Sequence, residues 1–534
     1  MISKWRSLTA VLLATYMVML DITVVNVALP HIQRSLGSSF NDLRWVVDAY
    51  VLTLCALLIT AGSLGDRFGR RRMLVAGLII FTIGSTWCGG ATDPLGLNLA
   101  RSLQGVGAAV LYASGPAILS TEFDGDDKAK AFGLFGAVTG LAIASGPLLG
   151  GMLADISWRL IFFLNVPIAL LAVALLIGTA TSAADSRRYY SGGLDPIGVV
   201  LSSASLGILV YGFIRAGASR WTDDWTIVSF VIAVLLLGAF LVVERRREDP
   251  MLDLELFRGR TFNGLSLSTL FGNICVLVTV LFIALYLQGI LGYSAFGAGV
   301  RVLPLTGALL VGATISGLIT NKTSPRLMLF CALFILAIGQ CVLGLMLGSS
   351  ASWITLVPGM IFIGIGMGMY NPMRAFMAAG VVPEHQVGLS SGISETFQQL
   401  GGALGIAALG TIAVDRIRSV VLESPARDHL VNLNLSNFAS EVASGNLGGA
   451  THLPASDQGI ALQLGSSAFV SGFRVISIVG GAFCAVGATL AILMIRDADI
   501  TSDGPAPDDR QRAPGFVPAH GWDPARSVAG EGGR

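Results

Sequence analysis

Apolar runs of about 20 residues, the length that crosses a ~30 Å hydrocarbon core, recur along most of this chain with short charged turns between them. That pattern leaves few folds open. Backbone groups in hydrocarbon have no water to bond, so such runs must close their hydrogen bonds internally, as helices. Of 534 residues 53% are hydrophobic and only 13% charged, against about 25% charged in a soluble domain. The expected class is an all-α polytopic membrane protein. A net charge of +1 gives no electrostatic footprint for nucleic acid.

Breakers and run lengths predict about fourteen spans. They lie near 8–29, 45–64, 73–92, 95–119, 132–153, 160–180, 194–214, 226–243, 263–288, 299–319, 327–348, 353–379, 389–413 and 468–495. The opening MISKWRSLTAVLLATYMVML begins like a signal peptide. Its apolar run continues to Leu29, carries Asp21 and shows no small-residue cleavage site, so it is read as an uncleaved first helix. Residues 414–467 read as a long outer loop, and 499–534 as a Pro-, Gly- and charge-rich tail expected to stay disordered in the cytoplasm.

Orientation follows from Lys and Arg. With both termini inside, the inner loops hold Lys4, Arg6, Arg67, Arg70, Arg71, Arg72, Lys128, Lys130, Arg187, Arg188 and the run Arg245–Arg247. The outer loops are poorer in such residues. The location predicted is a bacterial-type plasma membrane. The six Cys are scattered through apolar runs and read as packing residues. No Walker motif, metal spacing or catalytic constellation occurs, so no enzyme, cofactor, metal or nucleic-acid partner is predicted.

GSLGDRFGRRRM at 62–73 concentrates charge between two spans. A weak echo, GLITNKTSPRLML, aligns Gly317 with Gly62, Asn321 with Asp66, Lys322 with Arg67 and Arg326 with Arg71. Such internal duplication marks secondary transporters. Together with LDITVVNVALP (20–30), ARSLQGVGAA (100–109), GAVTGLAIASGPLLGG (136–151), SWRLIFFLNVPI (157–168), MLDLELFRGRTF (251–262) and SGISETFQQLGGALG (391–405), the chain resembles the major facilitator superfamily, and within it the fourteen-helix drug:proton antiporter family.

The resemblance implies a major facilitator fold. Residues 1–180 would form one six-helix bundle and 263–498 a second, with 181–262 carrying two inserted helices. It implies a proton-coupled antiporter that exports lipophilic compounds, cationic ones among them, by alternating access, working as a monomer. It also implies that Gly62, Asp66, Arg67, Gly69, Arg70 and Arg71 form a cytoplasmic gate. Two other readings stand beside it: a dedicated exporter of one natural product, siderophore or lipid, and a transport-inactive sensor or scaffold.

Ionisable groups inside spans are costly and mark function. Asp21 lies about 20 Å up the first helix at 1.5 Å per residue. Asp48 and Arg101, on spans that descend from outside, reach the same level, so the three are expected to meet. Asp21 is the expected proton carrier and Arg101 its tuner. Glu395, where the resembled family often has Asn, is a second candidate for binding a proton or a cation. Arg374 is expected to snorkel to the inner interface, and Arg474 to anchor at the interface. Gly136, Gly140, Gly146, Gly150 and Gly151, with Pro147 among them, predict a closely packed, bent helix, which the resemblance implies acts as a hinge between the bundles. Tyr112, Phe135, Phe271, Tyr286, Tyr370 and Phe397 are the candidate walls of a substrate cavity.

Overall fold

The computed structural model describes residues 2–37, 40–177, 195–247, 249–320, 322–348, 352–425, 430 and 433–500. Their regular structure is helical: α1 (Ile2–Leu36), α2 (Phe40–Phe68), α3 (Arg70–Gly90), α4 (Pro94–Glu122), α5 (Gly125–Ile156), α6 (Leu160–Phe163), α7 (Asn165–Leu176), α8 (Pro196–Ala218), α9 (Asp224–Glu244), α10 (Arg260–Leu285), α11 (Ala295–Ile319), α12 (Pro325–Met346), α13 (Val357–Gly380), α14 (Val387–Glu423), α15 (Leu435–Ala443) and α16 (Ala455–Met494). Sequence punctuation sets many starts. Pro94, Pro196 and Pro325 open α4, α8 and α12 directly after Asp93, Asp195 and Ser324, whose side chains accept from the first-turn amides of Gly96, Gly198 and Leu327.

Among the described residues, 12 helices are long and apolar enough to cross a membrane. Helix α5 makes 13 when its two arms, Gly125–Ile143 and Leu148–Ile156, are taken as one span bent by 44°. The sixth expected span is the shorter apolar stretch Leu160–Leu176, formed by α6 and α7. All fourteen expected spans therefore correspond, in order, to helices.

Helix α1 packs on α5 and α7, and α4 receives α2 and α3. In the later half α13 receives α11 and α12, while α10 lies against α14 and α16. The two groups meet along α2 with α14 and along α5 with α11. Helix α8 leans on α2 and α14, and α9 packs on α8. The outer face of α9 exposes Val231, Val234 and Leu235, as a lipid-bathed helix does.

The expected outer loop 414–467 is largely helix. Helix α14 runs on to Glu423, α16 begins at Ala455, and α15 lies between them. Ser, Asn and Gly made this stretch read as loop. Phe438, Ala439 and Val442 nevertheless form a buried stripe on α15, which packs against α14 and α16. Arg187, Arg188, Asn321 and nearly all of the tail 499–534 lie outside the described residues.

Candidate functional site

Asp21 sits midway along α1, fully buried, and four other helices converge on it. From α4, Arg101 Nη1 donates to Asp21 Oδ2 at 2.5 Å and Gln104 Nε2 donates to Oδ1 at 2.9 Å. From α7, Asn165 Nδ2 donates to Oδ1 at 3.2 Å. Arg101 is itself held: Nε donates to the Val46 carbonyl of α2 at 3.0 Å and Nη1 also reaches Gln104 Oε1 at 2.8 Å. The Tyr50 ring of α2 lies 4.2 Å from its guanidinium carbon. Asn165 is fixed in turn by Ser85 Oγ of α3 at 3.0 Å. A buried charge pair needs further hydrogen bonds to its donors and acceptors, and here both oxygens of Asp21 are met.

The expected pairing of Asp21 and Arg101 is present, but Asp48 does not join it. Asp48 takes Arg44 Nε at 3.2 Å, one turn away on α2, and Arg44 Nη2 donates to the Ile214 carbonyl of α8 at 2.7 Å. The estimated level was right, but the direction around the helix was wrong. Gln104, Asn165, Ser85 and Tyr50 were missed. Gln104 had a readable signal, being three residues after Arg101 and so on the same helix face.

A second buried pair joins α13 to α14. Arg374 Nη2 donates to Glu395 Oε1 at 2.6 Å and Nη1 donates to Ser394 Oγ at 2.7 Å, with both charged side chains 3% exposed. Arg374 does not snorkel. Residue counting placed it near a helix end, but a carboxylate on the next helix gives it a cheaper partner than the interface. This pair is incompletely satisfied: Glu395 Oε2, Arg374 Nε, Ser391 Oγ and Gln398 Oε1 are buried without a hydrogen-bond partner.

Asp66, 5% exposed, lies at the end of α2 yet reaches the start of α14. Its Oδ1 accepts from the Gly388 amide at 2.9 Å and its Oδ2 from the Leu389 amide at 2.7 Å, across 322 and 323 residues of sequence. These are first-turn N–H groups of a helix whose own preceding residue, Gln386, offers no side-chain cap. Arg70 binds Asp66 Oδ1 through Nε at 3.0 Å and Nη2 at 2.9 Å, and also donates to the Glu384 carbonyl. Arg71 pairs with Glu122 at 2.6 Å and Arg67 Nη2 donates to the Pro250 carbonyl at 3.2 Å. Gly69, with φ 97°, makes the sharp break between α2 and α3.

Glycine brings the backbones together here. A Cβ on Gly62 would strike the Gly388 carbonyl, and one on Gly392 would meet the Leu58 carbonyl. The internal repeat has a structural counterpart: Gly317, aligned with Gly62, meets α5 at Gly133. Along α5, Gly136 faces Pro372, Gly140 faces Leu309 and Gly146 faces Thr23. Gly150 is buried, whereas Gly151 has nothing within 4 Å and serves no close contact. The side chain of Pro147 falls outside the described residues, though the 44° turn of α5 spans its position.

The six aromatic candidates separate. Tyr112 and Phe135 line one small cavity with Ala14, Thr15, Val18, Met19 and Leu111, where α1, α4 and α5 meet. Phe271 stacks on Phe483 at 6.0 Å and Tyr286 on Phe469 at 6.3 Å, so both go into the seam of α10 with α16. Tyr370 is buried, donating to the Thr269 carbonyl at 3.2 Å. Phe397 is partly buried against the apolar core.

A sequence model of the Major Facilitator Superfamily matches residues 11–406. Puromycin resistance protein pur8 of Streptomyces alboniger is 38% identical, over 77% of this chain and 82% of that one. The tetracenomycin C resistance and export protein of Streptomyces glaucescens is 30% identical over 99% of this chain and 96% of its own. Among solved structures, the human organic anion transporter MFSD10 (TETRAN) superposes with a TM-score of 0.60 at 13% identity, covering 91% of this chain and 99% of that one. At that identity the likeness concerns the fold.

Proposed function

This chain belongs to the Major Facilitator Superfamily, a family of multi-pass membrane transporters rather than enzymes, and from that premise we propose that it exports lipophilic toxic compounds in exchange for protons. The observation that carries the reading is the buried network of Asp21, Arg101, Gln104 and Asn165. A carboxylate held in low dielectric beside one fixed cation is a group whose protonation strongly alters the local field. The names of the relatives supply the direction and the cargo class: resistance to puromycin, and resistance and export for tetracenomycin C.

In this reading the N-terminus is cytoplasmic, the membrane is the plasma membrane, and 1–180 and 263–498 move as two bundles about α5. The gate at 62–71 is then shut on the cytoplasmic side, with Asp66 capping α14. That is the outward-facing state. A proton from outside reaches Asp21 and displaces the substrate outward; Glu395 takes a second proton in this state, or holds the cationic part of a substrate when the site faces in, through its unpartnered Oε2. Opening on the inner side breaks the Asp66 contacts, the protons leave, and substrate enters from the cytoplasmic side.

Flux in proteoliposomes, with and without a pH gradient and across a substrate panel, tests this. Asp21→Asn keeps the side-chain shape but leaves the Arg101 charge uncompensated, so flux is read per folded transporter, and gradient-driven accumulation should be abolished; accumulation that persists in the variant overturns the proton role. Asp66→Asn should slow transport about tenfold or more, the worth of a charge-assisted bond of ~1.5–3 kcal/mol, with substrate binding retained. If binding and transport fall together, Asp66 is a folding residue. A dedicated exporter of one natural product is favoured by the near full-length match to the tetracenomycin C protein, and a panel with a single transported compound selects it. Flux of none of the panel returns the chain to a sensor or scaffold.

A further inference from the structure

The inserted helices α8 and α9 carry a buried carboxyl pair that the transport reading does not use. Asp195 caps α8 and Glu244 ends α9; both are 2% exposed. Asp195 Oδ1 is engaged, by the Gly198 amide at 2.9 Å and Arg247 at 3.1 Å. Glu244 Oε2 is engaged, by the Met251 amide at 3.0 Å. The other oxygen of each acid, Asp195 Oδ2 and Glu244 Oε1, is buried without a partner. Both converge on one spot: a Cβ on Gly198 would sit 2.7 Å from the first and 2.9 Å from the second.

We propose that Asp195 and Glu244 together bind a single proton between Asp195 Oδ2 and Glu244 Oε1, and that this shared proton clasps the segment after α9 against the gate. Two buried carboxylates whose free oxygens both lie within 3 Å of one point beside Gly198 repel when both are ionised; one proton shared between them turns the repulsion into a hydrogen bond and satisfies both orphaned atoms at once. The charged groups facing the pair are Arg247, already on Asp195, and Arg67 of α2, on the Glu244 side. Both favour ionised carboxylates, but neither hydrogen-bonds the two free oxygens, Asp195 Oδ2 and Glu244 Oε1, so the repulsion between those oxygens is left for a proton to relieve; both also disfavour a metal cation as the occupant.

The consequence reaches the gate through the backbone. Glu244 holds the Met251 amide, Arg67 of the gate motif holds the Pro250 carbonyl at 3.2 Å, and Gln386, just before α14, donates to Asp253 Oδ2 at 3.2 Å. Residues 250–253 thus bridge α9, α2 and the start of α14. With the proton bound, the bridge is fastened. As pH rises and the proton leaves, charge repulsion moves Glu244 and frees the Met251 amide.

Hydrogen–deuterium exchange of the full chain in lipid nanodiscs, corrected for intrinsic rates over a pH series, reads this directly. In wild type, protection of the Met251 amide should fall about tenfold as pH rises, the scale of one charge-linked hydrogen bond. Glu244→Gln donates permanently to Asp195 and should keep the amide protected across the series. Asp195→Asn, which donates the other way, should do the same and stands in if the first variant does not fold. Either variant following the wild-type profile overturns the proposal. So does protection restored at high pH by Ca²⁺ or Mg²⁺, which would make the pair a cation site.

Discussion

The buried pairs Asp21–Arg101 and Glu395–Arg374 join the same kinds of side chain, and the difference between them is one of completion. Asp21 and Arg101 draw on α1, α2, α4 and α7, and every oxygen of Asp21 is occupied. Glu395 and Arg374 draw on α13 and α14 alone and leave Oε2 and Nε bare. A closed network resists change until a proton or a motion breaks it as a unit. An open one already has an acceptor waiting for a donor. The first pair suits a switch between states and the second suits a ligand contact.

That contrast can be broken in three places. The largest effect is expected from Arg101→Met, which strands the Asp21 charge in the interior at a cost of about 3–5 kcal/mol. Thermal unfolding in detergent should show the loss, and adding Asp21→Leu should recover much of it. Failure of the double variant to recover would mean that the network is not organised around the ion pair. Next comes Glu395→Gln, expected to lower stability by about 1.5–3 kcal/mol, because the amide keeps an acceptor for Arg374 but leaves its buried charge uncompensated. Its signature is functional: weaker binding of cationic substrates with neutral ones unaffected. Equal weakening of both classes would remove Glu395 from ligand contact. The smallest is Asp48→Asn. Its pair with Arg44 is part-exposed, at 35% and 18% of the side chains, and should shift stability by less than about 1 kcal/mol with flux near wild type. A collapse of flux there would restore Asp48 to the coupling site.

The same contrast marks what could be read from the chain. Spans are legible because apolar length is a local property. Asp21 and Arg101 are legible because charge is costly where the runs place it, and Asp66 because the turn that holds it resembles the family's motif. Depth along a helix is also local, so Asp48 was placed at the right level. Rotation about the helix axis relative to neighbours is not local, and Asp48 turned to Arg44 instead. Arg374 fails for the same reason: its partner stands on another helix, and counting residues to the nearest end cannot see it. Helix α15 was hidden because its polar composition outweighed a three-residue buried stripe. Of the cavity candidates, Tyr112 and Phe135 come together, while Phe271 and Tyr286 fill a helix seam, a choice that apolar character alone does not reveal.

The Asp66 contact carries a further consequence. The carboxylate answers amides that the start of α14 would otherwise have to leave to solvent. Parting the helices is therefore an exchange of ligands at a helix end, carboxylate out and water in, rather than the snapping of a bond. Its barrier depends on whether water arrives as the carboxylate departs. The close seam of glycines at Gly62, Gly388 and Gly392 leaves no room for it until the seam has begun to open, so in the proposed cycle wetting would set the pace of the gate and the acid its resting position.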